Sequence, residues 1–389
     1  MSLLGRRIHV AGSASRKTST DLISQAQEIV RLLTRGALAE GATLVVQAGP
    51  EPRLAAKDDT SPELVFDWTV MEEAFAALQA GAVGASVNGQ PLIFAASSEK
   101  ADADMPPSRR DLWDCLIQSG AVRLERIRAG SRSGEAMRAL QAREGTVLVT
   151  LGGGAGVEHL AESYALRRRA IVPLDSKIGA SRDDGTLGGE GLNRLALTRP
   201  TDFFRLRQPG TEAARLHGLS TGDGTIAPEQ VAARALSLLQ DLVPPQAFFV
   251  RLVNRKHDDF PSVESFFRDV VEPIAAEFGY QRHEVGTDEP TNALINAEVF
   301  EELHYSTVAI VDVTGERPNC CIELGYALRG DNRVLLTAKQ GTTRPFDANA
   351  IPCHFWQGDL GDQARRADFR EHWLRCIDLP PLVRPRIPF

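Results

Sequence analysis

The sequence predicts an α/β protein with two doubly wound parallel sheets, a Rossmann-like domain followed by a smaller flavodoxin-like one. Three observations carry this expectation. Short apolar or β-branched runs alternate with helix-period segments along the 389 residues. Such alternation implies βαβ units with helices on both faces of a parallel sheet. The chain is also longer than one ordinary core can fill. Finally, the stiff pair Pro244-Pro245 breaks the series in two. The expected domains are therefore 1–243 and 244–389.

The elements follow in order. Arg7 to Ala11 reads as a strand. Asp21 to Ala39 carries Leu22, Ile23, Ala26, Ile29, Val30, Leu33 and Ala37 at helical spacing, and Gly41 stops it. Strands are expected at Thr43 to Gln47, Pro91 to Ala95, Val122 to Ile127, Thr146 to Leu151 and Ala170 to Leu174. Helices separate them at Val65 to Gln79, Arg109 to Ile117, Gly134 to Arg143 and Gly156 to Arg168. Asp175 to Gly191 is rich in Gly, Asp and Ser and reads as a loop overhanging a ligand site. Ala227 to Leu242 reads as a helix. Beyond the prolines, strands are expected at Ala247 to Val253, Tyr280 to Val285, Thr307 to Val313 and Arg333 to Ala338. Helices at Val263 to Phe278, Thr291 to His304 and Asn319 to Arg329 connect them. A last helix, Gln363 to Cys376, precedes a proline-rich end.

Composition narrows the function. The chain has 44 basic and 51 acidic residues and a net charge of −7, which argues against a nucleic-acid binder. No run approaches the roughly 20 apolar residues of a membrane span. The five cysteines form no CxxC pair, and the amino terminus has no signal-like apolar run. These features predict a cytoplasmic protein without a disulfide framework and without a membrane partner. His304, Cys353 and His354 lack zinc-ligand spacing, so neither a metal nor a resident cofactor is expected.

In the first domain, TVLVTLGGGAGVEHL joins a strand to a helix through Gly152, Gly153, Gly154 and Gly156. Glycines let a ligand approach the backbone, and a helix start offers NH groups and a positive dipole. A phosphate or ribose phosphate suits this turn; a tight turn without a ligand is the alternative. The stretch is neither GxGxxG with a ribose-binding acid nor a Walker loop. The first strand ends in a second such turn, where Gly12, Ser13, Ser15, Arg16 and Lys17 reach the same sheet edge. Arg132 and Ser133 precede another helix there. For each, a solvated charge or a helix cap is the alternative.

The GSxSR turn, the long helix after it and the late GGGAG turn, over about residues 5 to 205, resemble the SLOG superfamily. That superfamily includes the LOG phosphoribohydrolases and nucleotide-sensing domains of bacterial conflict systems. LOG enzymes carry PGGxGTxEE. Here Gly152 stands for the proline, Val157 for the threonine, and His159 and Leu160 for the two acids, with Glu158 one position out of register. The resemblance therefore implies ligand binding more than hydrolysis in this half.

In the second domain, TVAIVDVTGERPNCCIELGYAL places Asp312 at a strand end and Glu323 in the first turns of the next helix. A carboxylate nucleophile must be ionised and held near an electrophilic carbon, and a helix start stabilises its charge. Asp312 is expected to hold ribose hydroxyls while Glu323 attacks C1′ or stabilises an oxocarbenium-like state. A capping box is the alternative for Glu323, although Cys320 is a poor cap. Cys320-Cys321 reads as small packing residues, with a reactive pair as the alternative.

The segments NALINAEVFEEL, TVAIVDVTG, NCCIELGYA, RVLLTAK and RPFD, over about residues 247 to 356, resemble the nucleoside 2-deoxyribosyltransferase-like group and its TIR-like relatives. The resemblance implies a nucleophile at Glu323 and sugar contact at Asp312. Asn319 and Asp347 fall where it implies a substrate pocket. The turn VNRKHDDF departs from the transferase pattern, and its Arg251, Asn254 and Lys256 suit phosphate, hence a nucleotide or NAD. Composite active sites in that group imply a homo-oligomer.

Together these readings predict an effector gated by a small nucleotide of cyclic or ADP-ribose type. It would cleave an N-glycosidic bond of NAD, here a substrate, or of a nucleotide, in bacterial antiviral defence. The competing readings are a non-catalytic nucleotide sensor and an ungated deoxyribosyltransferase or salvage hydrolase.

Overall fold

The computed structural model describes residues 2–49, 52–56, 61–83, 86–87, 89–100, 105–127, 133–179, 188–220, 226–283, 295–315, 317–330, 332–343 and 351–379. Backbone contacts divide the chain between Val243 and Pro244.

In the first unit six strands form one all-parallel sheet. They are β1 (Arg7–Ser13), β2 (Thr43–Ala48), β3 (Ile93–Ser98), β4 (Val122–Ile127), β5 (Val147–Gly152) and β6 (Ala170–Leu174). Their spatial order is β4-β3-β2-β1-β5-β6. The order reverses between β1 and β5, the kind of switch point at which open α/β sheets take ligands. The residues explain these places. VLVTLG in β5 is buried throughout, the continuous run that a strand covered on both faces needs. VRLERI in β4 interleaves charged and apolar residues and is partly exposed along its length, as befits an edge. Leu44 and Val46 of β2 join one core cluster and Val45 the opposite one, the alternation of a doubly covered sheet.

Helix α1 (Thr20–Ala39) buries Ile23, Ala26, Ile29, Val30, Leu33 and Ala37, a stripe at three- and four-residue intervals. Each large side chain among them contributes about 1.5–3 kcal/mol of burial. Gly41, at φ 85°, turns the chain into β2 where a side chain would be strained. Further helices are α2 (Asp67–Gln79), α3 (Arg110–Gln118), α4 (Ser133–Glu144), α5 (Ala155–Ala165), α6 (Gly188–Thr198) and α7 (Pro228–Asp241). Two details differ from the sequence reading. Val65 does not start α2 but bridges Ser13, so the segment ahead of α2 crosses the end of β1. Helix α6 starts at Gly188, within the stretch read as a loop.

The second unit has five parallel strands: β7 (Gln246–Val250), β8 (Gln281–His283), β9 (Val308–Asp312), β10 (Arg333–Lys339) and β11 (Cys353–Trp356). Their order β8-β7-β9-β10-β11 is flavodoxin-like and reverses between β7 and β9. Helix α8 (Phe260–Phe266) continues through a π-turn, Phe267–Val271, into Glu272–Glu277. Next come α9 (Ile295–Tyr305), α10 (Pro318–Arg329) and α11 (Asp362–Cys376). Strand β11 is absent from the sequence reading because CHFW lacks a β-branched residue. It pairs with β10 from Leu336↔Cys353 to Lys339↔Trp356. Among the described residues no helix is long and apolar enough to cross a membrane.

Candidate functional site

At the switch point of the first unit, Gly12 pairs with Leu151 and Ser13 with Gly152. The Gly153 N–H donates to the Ser13 carbonyl at 2.7 Å. The two glycine turns expected from the sequence are thus one structure. Their glycines have different reasons to be there. A β-carbon on Gly12 would stand 1.8 Å from the Leu151 carbonyl oxygen, so strand pairing demands that glycine. Gly152 and Gly153 sit at φ 60° and 88°, a region open to glycine at little cost. Gly154 caps α5 with an ordinary negative φ. Gly156 faces open space, its nearest neighbour being the Arg138 guanidinium, 3.9 Å from where a β-carbon would sit.

Arg138, in α4, is the residue that sequence reading missed. Its Nη1 lies 3.5 Å from the β-carbon position of Gly134 and 3.9 Å from that of Gly156. It therefore stands by the amino-terminal turns of both α4 and α5. Arg138 has no hydrogen bond or ion pair among the described residues. A half-buried guanidinium beside two helix starts attracts anions. Arg16 and Ser13 are at the same edge, Arg16 exposed and without an ion-pair partner among the described residues. Ser15 differs from the expectation: it is 1% exposed, its N–H donates to the Ile178 carbonyl at 2.6 Å, and its Oγ accepts from the Lys17 N–H. It braces the turn. Arg132 lies outside the described residues. Asp67, at the start of α2, accepts from the Gln47 N–H at 2.7 Å, and burial raises its carboxyl to about 6.

In the second unit, Asp312 ends β9 and is 1% exposed. Its Oδ1 accepts from the Thr314 N–H at 3.0 Å. Its Oδ2 accepts from the Thr337 hydroxyl at 2.8 Å and from the Trp356 indole N–H at 2.9 Å. Burial raises its pKa while these bonds oppose the rise. Three internal donors occupy the carboxylate, so the geometry gives Asp312 the part of a brace that ties β9 to β10 and β11. Phe266 stacks on Trp356 with ring centroids 4.7 Å apart and fixes that indole.

Glu323 is the sixth residue of α10 and is half-buried. It makes no hydrogen bond or ion pair among the described residues. Burial alone raises its carboxyl to about 7. The helix cap is Arg317, without a side-chain capping bond, so the capping-box alternative fails. Burial and the charges of Glu323 and Asp312 push the Cys320 thiol up to about 12, with Arg317 opposing. Cys320 is held neutral even though carboxylates act on it, and it is a packing residue rather than a thiolate.

Of the remaining expected residues, Arg251 and Asn254 are engaged within the protein. Arg251 is 6% exposed at its side chain and ion-paired with Glu264, and its guanidinium lies over the Phe267 ring at 5.5 Å. An internal carboxylate holds the charge expected to meet phosphate. Asn254 accepts from the Lys256 N–H at 3.0 Å in a local turn. Asn319 is exposed in the first turn of α10. Asp347 lies outside the described residues.

Comparison with known proteins bears on the first unit. A family model described as ATP nucleosidase Cap17-like, N-terminal, matches residues 3–225. Two curated relatives, each an ATP nucleosidase Cap17, from Escherichia coli strain KTE188 and from Escherichia coli, are 27% identical over 198 residues. The alignment covers 50% of this chain and 37% of each relative. The chain therefore aligns with little more than a third of those proteins. From the match over residues 3–225, the chain belongs to the Cap17-like N-terminal family.

Proposed function

We propose that the chain is a nucleotide-gated N-glycosidase of bacterial antiviral defence, with residues 1–243 binding the signal and residues 244–389 cleaving the substrate. The observation that carries this reading is Glu323, a half-buried carboxylate without a protein partner whose pKa stands near 7. Ionised, it attacks C1′ of a bound nucleotide, and the C1′–N bond breaks with its electron pair leaving on the base. Water then displaces the carboxylate from C1′ and loses a proton, which releases the sugar and restores Glu323. Asp312, whose lone pairs are spent on β10 and β11, positions this edge rather than touching the sugar. The resemblances of the two halves to SLOG and to transferase-like proteins support the division of labour.

ATP, named by the relatives, and NAD are the substrates to test first. Mass spectrometry of each, incubated with the chain in the presence and absence of cyclic nucleotides and ADP-ribose, reads the released base. Release by the wild type and its loss in Glu323→Gln is the expected result; an unchanged rate in that variant refutes the assignment. The family match favours a second reading, in which the shared first unit is itself the nucleosidase. Glu158, half-buried in the first turn of α5, is then the carboxylate at work, and Glu158→Gln abolishes release while Glu323→Gln does not.

A further inference from the structure

We infer that Arg317 makes the Glu323 site specific for phosphorylated nucleosides, by taking a substrate phosphate on its guanidinium; this rests on the reading of Glu323 given above. Three observations lead there. The Nε and Nη2 atoms of Arg317 are shielded from water and have no hydrogen-bond acceptor. Those two nitrogens form the edge of a guanidinium that grips a phosphate or carboxylate with two parallel bonds. Removing such donors from water without an acceptor is costly, so the edge is built for an acceptor that the protein does not supply.

The neighbouring cations make the contrast. Arg251, just after β7, is paired with Glu264. Lys339, ending β10, is bound to Asp259 at 2.8 Å. The Arg317 side chain has no hydrogen bond or ion pair among the described residues. Its position also fits the chemistry. Arg317 caps α10, and Pro318 follows it without an N–H. Arg317 precedes Cys320 at the start of α10 and Glu323 follows it on the same helix, so cation and carboxylate lie on either side of one residue along α10. A nucleotide with its phosphate at Arg317 brings its ribose toward Glu323. A free nucleoside leaves the guanidinium edge unmatched, which disfavours it.

Hydrogen exchange of the full chain, read by mass spectrometry on amides 319–323, tests this without any need for turnover. The probes are adenosine 5′-monophosphate and adenosine. The expected result is protection of these amides by the monophosphate, in wild type and in Glu323→Gln alike, at a concentration about tenfold below that needed for adenosine. Arg317→Ala removes this difference, and Arg317→Lys restores part of it as a point charge. Melting of Arg317→Ala is expected at or above the wild-type temperature, since no hydrogen bond or ion pair is lost and two buried unpaired donors are removed. Equal protection by both probes, no protection by the monophosphate, or an undiminished difference in Arg317→Ala each overturns the inference. So does destabilisation with the difference intact, which would mark Arg317 as a structural cap. Failure of the Glu323 reading shows separately, as base release that survives Glu323→Gln.

Discussion

Glu323→Gln is expected to stabilise the second unit above neutral pH while removing the base release proposed for it. The Glu323 carboxyl goes from an ordinary 4.5 to about 7 on folding, through burial. The folded chain thus holds this proton more tightly than the unfolded chain. Stability is full below pH 4.5, falls as pH rises from there to about 7, and stays at its lower level above. The change is about 300-fold in proton affinity, equivalent to about 3 kcal/mol. Partial exposure to water screens it, so about 1–2 kcal/mol is the figure to expect. Glutamine keeps the shape and carries no charge, so it escapes the penalty. Guanidinium melts at pH 4 and pH 8, read by exchange protection of β9 peptides to isolate this unit, measure it. The variant should match wild type at pH 4 and exceed it by about 1–2 kcal/mol at pH 8. Equal stability at both pH values would refute the burial argument, because it would place the carboxylate in water. The kinetic counterpart has the opposite sign. If the ionised form attacks, kcat/KM rises with pH up to about 7 and then levels. Glutamine abolishes this rise along with the rate.

Three other substitutions probe the supports of the sites. Trp356→Phe keeps the stack on Phe266 and removes one of the three donors to Asp312; a loss of about 1–3 kcal/mol in the same melts is expected, and no loss would mean that the indole is not holding the carboxylate. Gly12→Ala drives a β-carbon to 1.8 Å from the Leu151 carbonyl and should prevent folding of the first unit, whereas Gly156→Ala should fold normally and weaken binding of the activating nucleotide, cyclic or ADP-ribose, measured by calorimetry.

The fold was legible because both sheets write themselves as apolar strands between amphipathic helices. VLVTLG needs no partner to declare that both its faces are covered. The placement of Asp312 at a strand end and of Glu323 early in the next helix was legible in the same way. What escaped depends on partners far along the chain. Asp312 reads as a free carboxylate until Trp356, 44 residues on, donates to it. Arg251 reads as a phosphate ligand until Glu264, 13 residues on, neutralises it. Arg138 carries no local mark at all. Packing brings it beside the start of α5, and no period or motif in MRALQARE states that. In each case backbone pattern is local, whereas the availability of a charge is settled by tertiary pairing.

The proposed gating sets a quantitative demand on Arg138. A signal that moves an equilibrium from 1:99 to 99:1 must bind the active state about 10⁴-fold more tightly, or about 5.5 kcal/mol. One charge-assisted contact from a guanidinium to phosphate supplies about 1.5–3 kcal/mol. Arg138 alone therefore falls short, and the amides of Gly154 and Gly156 must supply part of the rest. Removing about 2 kcal/mol of differential binding from such a system leaves about three quarters of the chains active at saturating signal. Arg138→Ala should then lower both the apparent affinity for the signal and the plateau of base release, with melting unchanged because its guanidinium has no protein partner among the described residues. If only the affinity falls and the plateau holds, Arg138 grips the phosphate equally in both states. The switch must then lie in contacts to the rest of the nucleotide, since a contact that does not distinguish two states cannot drive one into the other.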